Sequence, residues 1–284
     1  MNNLKRALAA IVEGAGTTGR AGRANWPSLM THVVLGYPTL SASMDLVRLM
    51  ADLGICIVEL QIPFSDPLAD GPTIMNANEV ALKNGVGVCD AMKAVETLSA
   101  ELDIPLLFMS YYNLLFRYGA GEGLGAFLRD ASSAGVEGLI VPDLPLEEEP
   151  SEGFVSMSCD RGIFAVPLLS PLSDEERLRS IAALYPRDAL NSGFVYCVSD
   201  TSTTGVKTEL ASGLASYVTR VKGVFERPCA LGFGISKAEH LESIADFCEI
   251  AVVGSATIDL IESCGRDLSS WKPVESFLTS LVSP

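Results

Sequence analysis

Histidine is scarce in this chain: His32 and His240 are the only two among 284 residues. That leaves little from which to assemble a histidine-rich metal centre or a Ser-His-Asp triad. Positive charge is also in short supply, with 20 Lys and Arg against 35 Asp and Glu and a formal net charge of -15. Such an acid excess repels phosphate backbones and anionic lipid, so no nucleic-acid or membrane partner is expected. Paired-cysteine motifs are missing as well. The seven cysteines fall singly in stretches such as GICIVEL, FVYCVS, RPCALGF and DFCEI, with no CxxC. They read as reduced core thiols of a cytoplasmic protein rather than a disulfide framework or a zinc site. The N-terminal MNNLKRALAAIVEGAG lacks an extended apolar region with a small-residue cleavage site. Its short apolar patch at helical spacing predicts a surface helix, not a signal peptide.

What the chain does have is apolar mass. With 48% hydrophobic and 19% charged residues, it can bury a large core, and α/β barrels of this length commonly form one domain. No composition break divides residues 1–284, and the Gly- and Ser-rich pieces near 14–22 and 119–125 read as loops. Short β-rich runs are expected at His32–Leu35, Cys56–Gln61, Leu106–Ser110, Gly138–Val141, Ala165–Leu168, Phe194–Val198, Ala230–Gly232 and Ile250–Val253. Stretches of helical spacing follow them, among them SASMDLVRLMADLG, SDEERLRSIAALY and SATIDLIESCG. Ser173 with Glu176, and Ser236 with Glu239, have capping-box spacing. Eight strands alternating with helices favour a closed parallel barrel, in which long loops after strand ends build sites. A doubly wound open sheet is the other reading, though no GxGxxG follows the first strand.

The longest gap between strands begins with IPFSDPLADGP, and the strand before it, ICIVELQI, carries a charge. Alternation puts Cys56 and Val58 on one face and Ile57, Glu59 and Gln61 on the other. A carboxylate in such a run needs a partner or a task, because burial without either costs several kcal/mol or forces protonation. On its residues alone, Glu59 is open to a structural reading as well as a chemical one. Asp70, in Ala-Asp-Gly-Pro, is open to a turn-forming one.

Read together, VELQIPFSDPLADGPT resembles the signature of the tryptophan synthase α subunit family, Glu-Leu-Gly-Ile-Pro-Phe-Ser-Asp-Pro-Leu-Ala-Asp-Gly-Pro. GYPTLSASMDLV, MSYYNLLFRYG, GLIVPDLPLEE, GFVYCVSDTSTTG, GFGIS and VVGSA extend the likeness along most of the chain. The resemblance implies a single-domain (β/α)8 TIM barrel with an extra N-terminal helix. The implied activity is retro-aldol cleavage of indole-3-glycerol phosphate to indole and glyceraldehyde 3-phosphate in tryptophan biosynthesis, without metal or organic cofactor. It further implies a pyridoxal-phosphate-dependent β subunit as partner in a heterotetramer. Carried over, Glu59 becomes the general acid/base and Asp70 the carboxylate that holds the indole N–H. Tyr196 and Tyr111 fall near the substrate, each also open to a core-packing reading. Asn113 is equally open to turn formation, and Asp143 is expected to organise neighbouring loops. Gly205, Gly234, Ser236, Gly254 and Ser255, past strands six to eight, become the phosphate cradle, where backbone amides substitute for the missing cations. Taken singly, each glycine is an ordinary βα turn.

The likeness breaks at four positions. Gln61 replaces a glycine and is expected to hydrogen-bond Glu59 or intrude on the indole pocket; Tyr37 stands for Asp, Leu114 for Pro, and Asp200 for Arg. These changes are expected to cluster on the active-site rim and the β-docking face. They admit a second reading, a weakly catalytic or non-catalytic subunit that binds ligand and activates β, and a third, a lyase for another phosphorylated substrate. Keeping both Glu59 and Asp70 favours the enzyme.

Overall fold

The computed structural model describes residues 2–13, 26–185, 193–199, 207–232, 234–266 and 271–282. Among them, nine short parallel strands run in chain order: β1 (Ser28–Val34), β2 (Ile57–Gln61), β3 (Leu106–Met109), β4 (Gly138–Ile140), β5 (Phe164–Ala165), β6 (Leu168–Leu169), β7 (Val195–Val198), β8 (Cys229–Gly232) and β9 (Ile250–Val253). The sheet order is β5-β4-β3-β2-β1-β9-β8-β7-β6. Its two ends, β5 and β6, are consecutive pieces of one run, 164–169, interrupted at Pro167, which has no N–H to give a ladder. Val166 N donates to Leu139 O and Tyr196 N to Pro167 O, both at 2.9 Å, so this run bridges its neighbours and the sheet closes on itself. The ring therefore holds eight barrel strands, as expected from the sequence.

Both faces of the ring are covered, which is why its strands read as continuous apolar runs. Side chains alternate between two cores. Val33, Val58, Leu60, Phe108 and Val253 pack outward among the helices, while Met30, Ile57, Leu107, Ile140, Phe194, Ala230 and Ile250 fill the interior. The interior has a floor. Leu4, Leu8 and Ile11, spaced as one face of the helix Asn3–Val12, are buried in that same inner cluster. The N–H groups of Asn3 and Leu4 donate to the Glu137 carboxylate just before β4, at 3.2 and 2.6 Å. A carboxylate suits the positive end of a helix. The N-terminal helix is thus a plug for the barrel rather than the surface helix expected from its sequence: its apolar face, short as it is, finds the open end of the ring.

Other expectations shift in detail. Strand positions agree within a few residues, β1 starting four residues early because Ser28–Thr31 pair with β9. Neither capping box forms as read: Asp174, not Ser173, caps the helix Glu175–Ala182 by accepting from Arg177 N, and the helix Ala238–Ile244 starts after Lys237 with no side-chain cap. Of the cysteines, Cys197, Cys229 and Cys248 are buried, but Cys89, Cys159 and Cys264 are exposed. The long gap after β2 holds two helices, Pro72–Lys83 and Val88–Glu101. No helix among the described residues is long and apolar enough to cross a membrane.

Candidate active site

Alternation carries β2's polar residues to the carboxyl end of the barrel interior, with Ile57 below them. The parallel register sets His32 beside Glu59 and Val34 beside Gln61. Glu59 is 3% exposed, His32 5% and Gln61 0%, so three polar side chains share one dry space and must satisfy one another. His32 Nδ1 lies 3.3 Å from Glu59 Oε1. On its other side, His32 Nε2 is 2.8 Å from Gln61 Oε1. Gln61 Nε2 donates to Asp70 Oδ2 at 2.6 Å. A chain of polar contacts thus runs Glu59, His32, Gln61, Asp70. Gln61 does not bond Glu59 as expected from their shared face; His32 stands between the two. The other Glu59 oxygen, Oε2, is buried and has no hydrogen-bond partner, a costly condition for an acceptor unless it has work to do.

Asp70 is fixed from a second direction. The Tyr111 hydroxyl, just beyond β3, donates to Asp70 Oδ2 at 3.2 Å and accepts from Ala69 N at 3.0 Å. The Tyr111 ring stacks on Phe64, 4.9 Å between centroids, and Asn78 Oδ1 accepts from Phe64 N at 3.0 Å. The Pro-rich loop is therefore held to the barrel by its own aromatic and amide residues, and Tyr111 serves the site by holding the acid in place. Asp143 accepts from Tyr112 N at 2.8 Å, tying the β4 loop to the segment after β3, the organising role expected of it. Asn113 lies within the short helix Tyr112–Phe116. Tyr196, on β7, packs against the inner cluster. Burial, then the charges of Glu59 and Asp70, hold its hydroxyl well above the usual tyrosine range, so it stays a proton donor.

Burial raises the Asp70 carboxyl above the ordinary aspartate value of 3.8, although the His32 charge and the hydrogen bonds from Gln61 and Tyr111 pull the other way. For His32, burial lowers the imidazole. The charge and hydrogen bond of Glu59, with Asp70 and Gln61, outweigh it, and the net direction is up from 6.5.

Across the mouth, Gly234 has φ +76 with open space where a side chain would be, a conformation and clearance that glycine allows. Ser255 opens the helix Ser255–Ser263, whose N-terminus has no side-chain cap. The Ser236 amide points to His240 Nδ1 at 3.3 Å, so it is engaged within its own turn. A Cβ on Gly254 would stand 3.1 Å from His32 Cβ, and one on Gly232 would stand 3.2 Å from the Tyr196 hydroxyl. Gly254 therefore also makes room for His32. Gly205 and Asp200 lie outside the described residues.

The departures from the family signature do not share one place. Gln61 is inside the site. Tyr37 faces away from it, its hydroxyl donating to Glu262 Oε2 at 2.5 Å with Arg266 over its ring, and burial first, then Glu262, push it up to about 12. Leu114 packs against the outer core. The site residue that sequence reasoning missed is His32. The signal was available: a lone histidine in the apolar run SLMTHVVLG, on a strand whose register with the neighbouring carboxylate strand decides its partner.

A family model described as tryptophan synthase alpha chain matches residues 20–277. The tryptophan synthase alpha chain of Thermoanaerobacter sp. (strain X514) is 37% identical over 254 residues, 89% of this chain and 92% of that one. That of Syntrophotalea carbinolica is 38% identical over 253 residues, with 89% and 93% covered. Among solved structures, the tryptophan synthase α-subunit of Pyrococcus furiosus superposes with a TM-score of 0.78 at 30% identity, covering 91% of this chain and 98% of that one. A chain from the aminoacrylate-bound tryptophan synthase of M. tuberculosis gives 0.81 at 27% identity, with 100% and 99% covered. With its closed barrel, its two carboxylates at the mouth and a match over nearly its whole length, this chain belongs to the tryptophan synthase alpha chain family.

Proposed function

We propose that this chain is a carbon–carbon lyase that cleaves indole-3-glycerol phosphate into indole and glyceraldehyde 3-phosphate. The observation that carries the reading is Glu59 Oε2, a buried carboxylate oxygen with no partner, on a side chain linked through His32 and Gln61 to a second carboxylate. Cleavage needs a proton delivered to C3 of the indole ring and another removed from the glycerol hydroxyl beside the breaking bond. One carboxyl group can do both in turn, donating first and accepting second, so the enzyme ends as it began. Once C3 is protonated, positive charge sits on the ring nitrogen, and Asp70 is the anion held ready for that N–H. The Gln61 amide already occupies Asp70 Oδ2, which leaves Oδ1 for the ring.

For the phosphate, the turn at Gly234 and the amides at the start of the helix Ser255–Ser263, with Gly254 before it, supply backbone donors. By sequence position Gly205 and the Ser236 hydroxyl complete the proposed cradle, the Ser236 amide being engaged with His240 Nδ1. Tyr196 lines the ring end and Tyr111 holds Asp70. We read residues 1–284 as one domain, acting in the cytoplasm without metal or organic cofactor, and passing indole to a pyridoxal-phosphate-dependent tryptophan synthase β subunit. The likeness to the M. tuberculosis tryptophan synthase supports that partner. The test is indole release from indole-3-glycerol phosphate by the purified chain, with and without a β subunit. Release in either condition is expected, faster with β; none in both would overturn the lyase reading.

A further inference from the structure

The polarity of the contact chain leaves little freedom in where its protons sit. Asp70 Oδ2 accepts from Gln61, so the Gln61 NH₂ faces Asp70 and its Oε1 faces His32. An amide oxygen only accepts, and His32 Nε2 therefore carries a proton. The neutral ring has just one N–H, now committed to Gln61. At the opposite edge, Nδ1 and Glu59 Oε1 are 3.3 Å apart with both groups buried. Two bare acceptors facing each other there would repel, so one proton belongs between them.

From this geometry we infer that His32 is a positioning residue that holds the working proton of Glu59, keeping it between Nδ1 and Oε1 while Oε2 faces the substrate. Balance follows simply. The proton passes from Nδ1 to the Glu59 carboxylate, and Glu59 gives a proton to C3. The hydroxyl proton then returns to Glu59 as the C–C bond breaks, its electrons flowing into the ring, and the pair resumes its starting state. The surroundings fit. The ionisable groups acting on His32 are Glu59 from β2 and Asp70 from the following loop, both acidic, and they hold the imidazole above its usual value against the pull of burial. From the β9 side the neighbour is Gly254, whose missing side chain leaves the ring its space. A raised histidine pKa means the shared proton is present at low pH and is lost as pH rises through the folded value. The alkaline limb of turnover should lie there.

The inference rests on the proposed cleavage for its purpose, but its test does not. With only two histidines in the chain, ring ¹⁵N labelling and NMR give two sets of signals, and His32→Asn identifies the His32 set by its loss. Expected for the wild-type chain at neutral pH is a His32 ring protonated at both nitrogens and titrating above an ordinary histidine. In Glu59→Gln the ring should become neutral, with its single proton on Nε2. A ring protonated on Nδ1 alone, or a titration unmoved by Glu59→Gln, would overturn the inference even if the chain cleaves its substrate. Turnover gives the second reading. His32→Asn keeps a donor toward Glu59 but no exchangeable acid, and should lower kcat by about tenfold or more, up to the roughly 10²–10⁴-fold that positioned proton transfer contributes. KM should stay nearly constant, and the wild-type alkaline limb should disappear. An unchanged kcat and pH profile would count against it. Absence of cleavage in every form would remove the proposed function while the NMR result still decides the proton's place.

Discussion

The two ends of the barrel interior are built from the same strands, yet they have opposite chemistry. At the amino end, Met30, Ile57 and Leu107 meet Leu4, Leu8 and Ile11 of the N-terminal helix in an apolar floor. Two residues further along β1 and β2, the same inward face carries His32 and Glu59. The floor can be close-packed because it has no polar atom to satisfy, each fully buried aliphatic side chain contributing about 1.5–3 kcal/mol. At the mouth, buried polar groups need partners, and a carboxylate oxygen without one among the described residues, Glu59 Oε2, marks where substrate chemistry is expected. The contrast teaches that alternation and register, not separate structural elements, divide support from reaction in this chain.

Substitutions at each end should therefore separate turnover from stability. After Glu59 itself, the largest effect is expected for Asp70→Asn, which removes the charge proposed to face the cationic ring nitrogen and should lower kcat by about 10²–10³-fold. On the proposed mechanism, activity requires ionised Asp70. Because burial raises its pKa above 3.8, activity should fall on acidification at a higher pH than an ordinary aspartate would dictate, and Asp70→Asn should abolish that limb. A pH–rate profile of both forms checks this.

Leu8→Ala is the complementary change. Leu8 is 2% exposed in the floor, and truncation should cost about 2–5 kcal/mol in denaturant unfolding while leaving kcat of the folded enzyme within about twofold. A large loss of kcat in the folded protein would mean that the floor and the mouth are coupled. The smallest effect is expected at Gln61→Gly. Freeing Asp70 Oδ2 from the Gln61 amide should lower KM for indole-3-glycerol phosphate about fivefold, the worth of roughly one hydrogen bond, measurable by steady-state kinetics.

Much of this is legible in the sequence. The eight barrel strands, the inward set Ile57, Glu59 and Gln61, and the loop with Asp70 follow from period-two alternation and from the signature around Glu59. Local pattern is enough for these because each is decided within one strand or turn. The plug role of Asn3–Val12 and the place of His32 were not legible in the same way. Both depend on what the chain meets across the barrel: Leu4 and Leu8 on strands far away in sequence, and His32 on the register of β1 against β2. The capping box at Ser173 fails for a local reason, since Asp174 is as good a cap and stands one residue closer to the helix. Of the four departures, only Gln61 could be tied to the site from strand position; Tyr37 is directed outward to Glu262 by loop geometry that its sequence does not reveal.

The central claim is that Glu59 performs the proton transfers, and it is tested most directly with Glu59→Gln at saturating indole-3-glycerol phosphate. Indole release and substrate affinity should be measured on the same sample. The account predicts turnover reduced by about 10²–10⁴-fold with the dissociation constant nearly unchanged. Near-wild-type indole release by Glu59→Gln would contradict it.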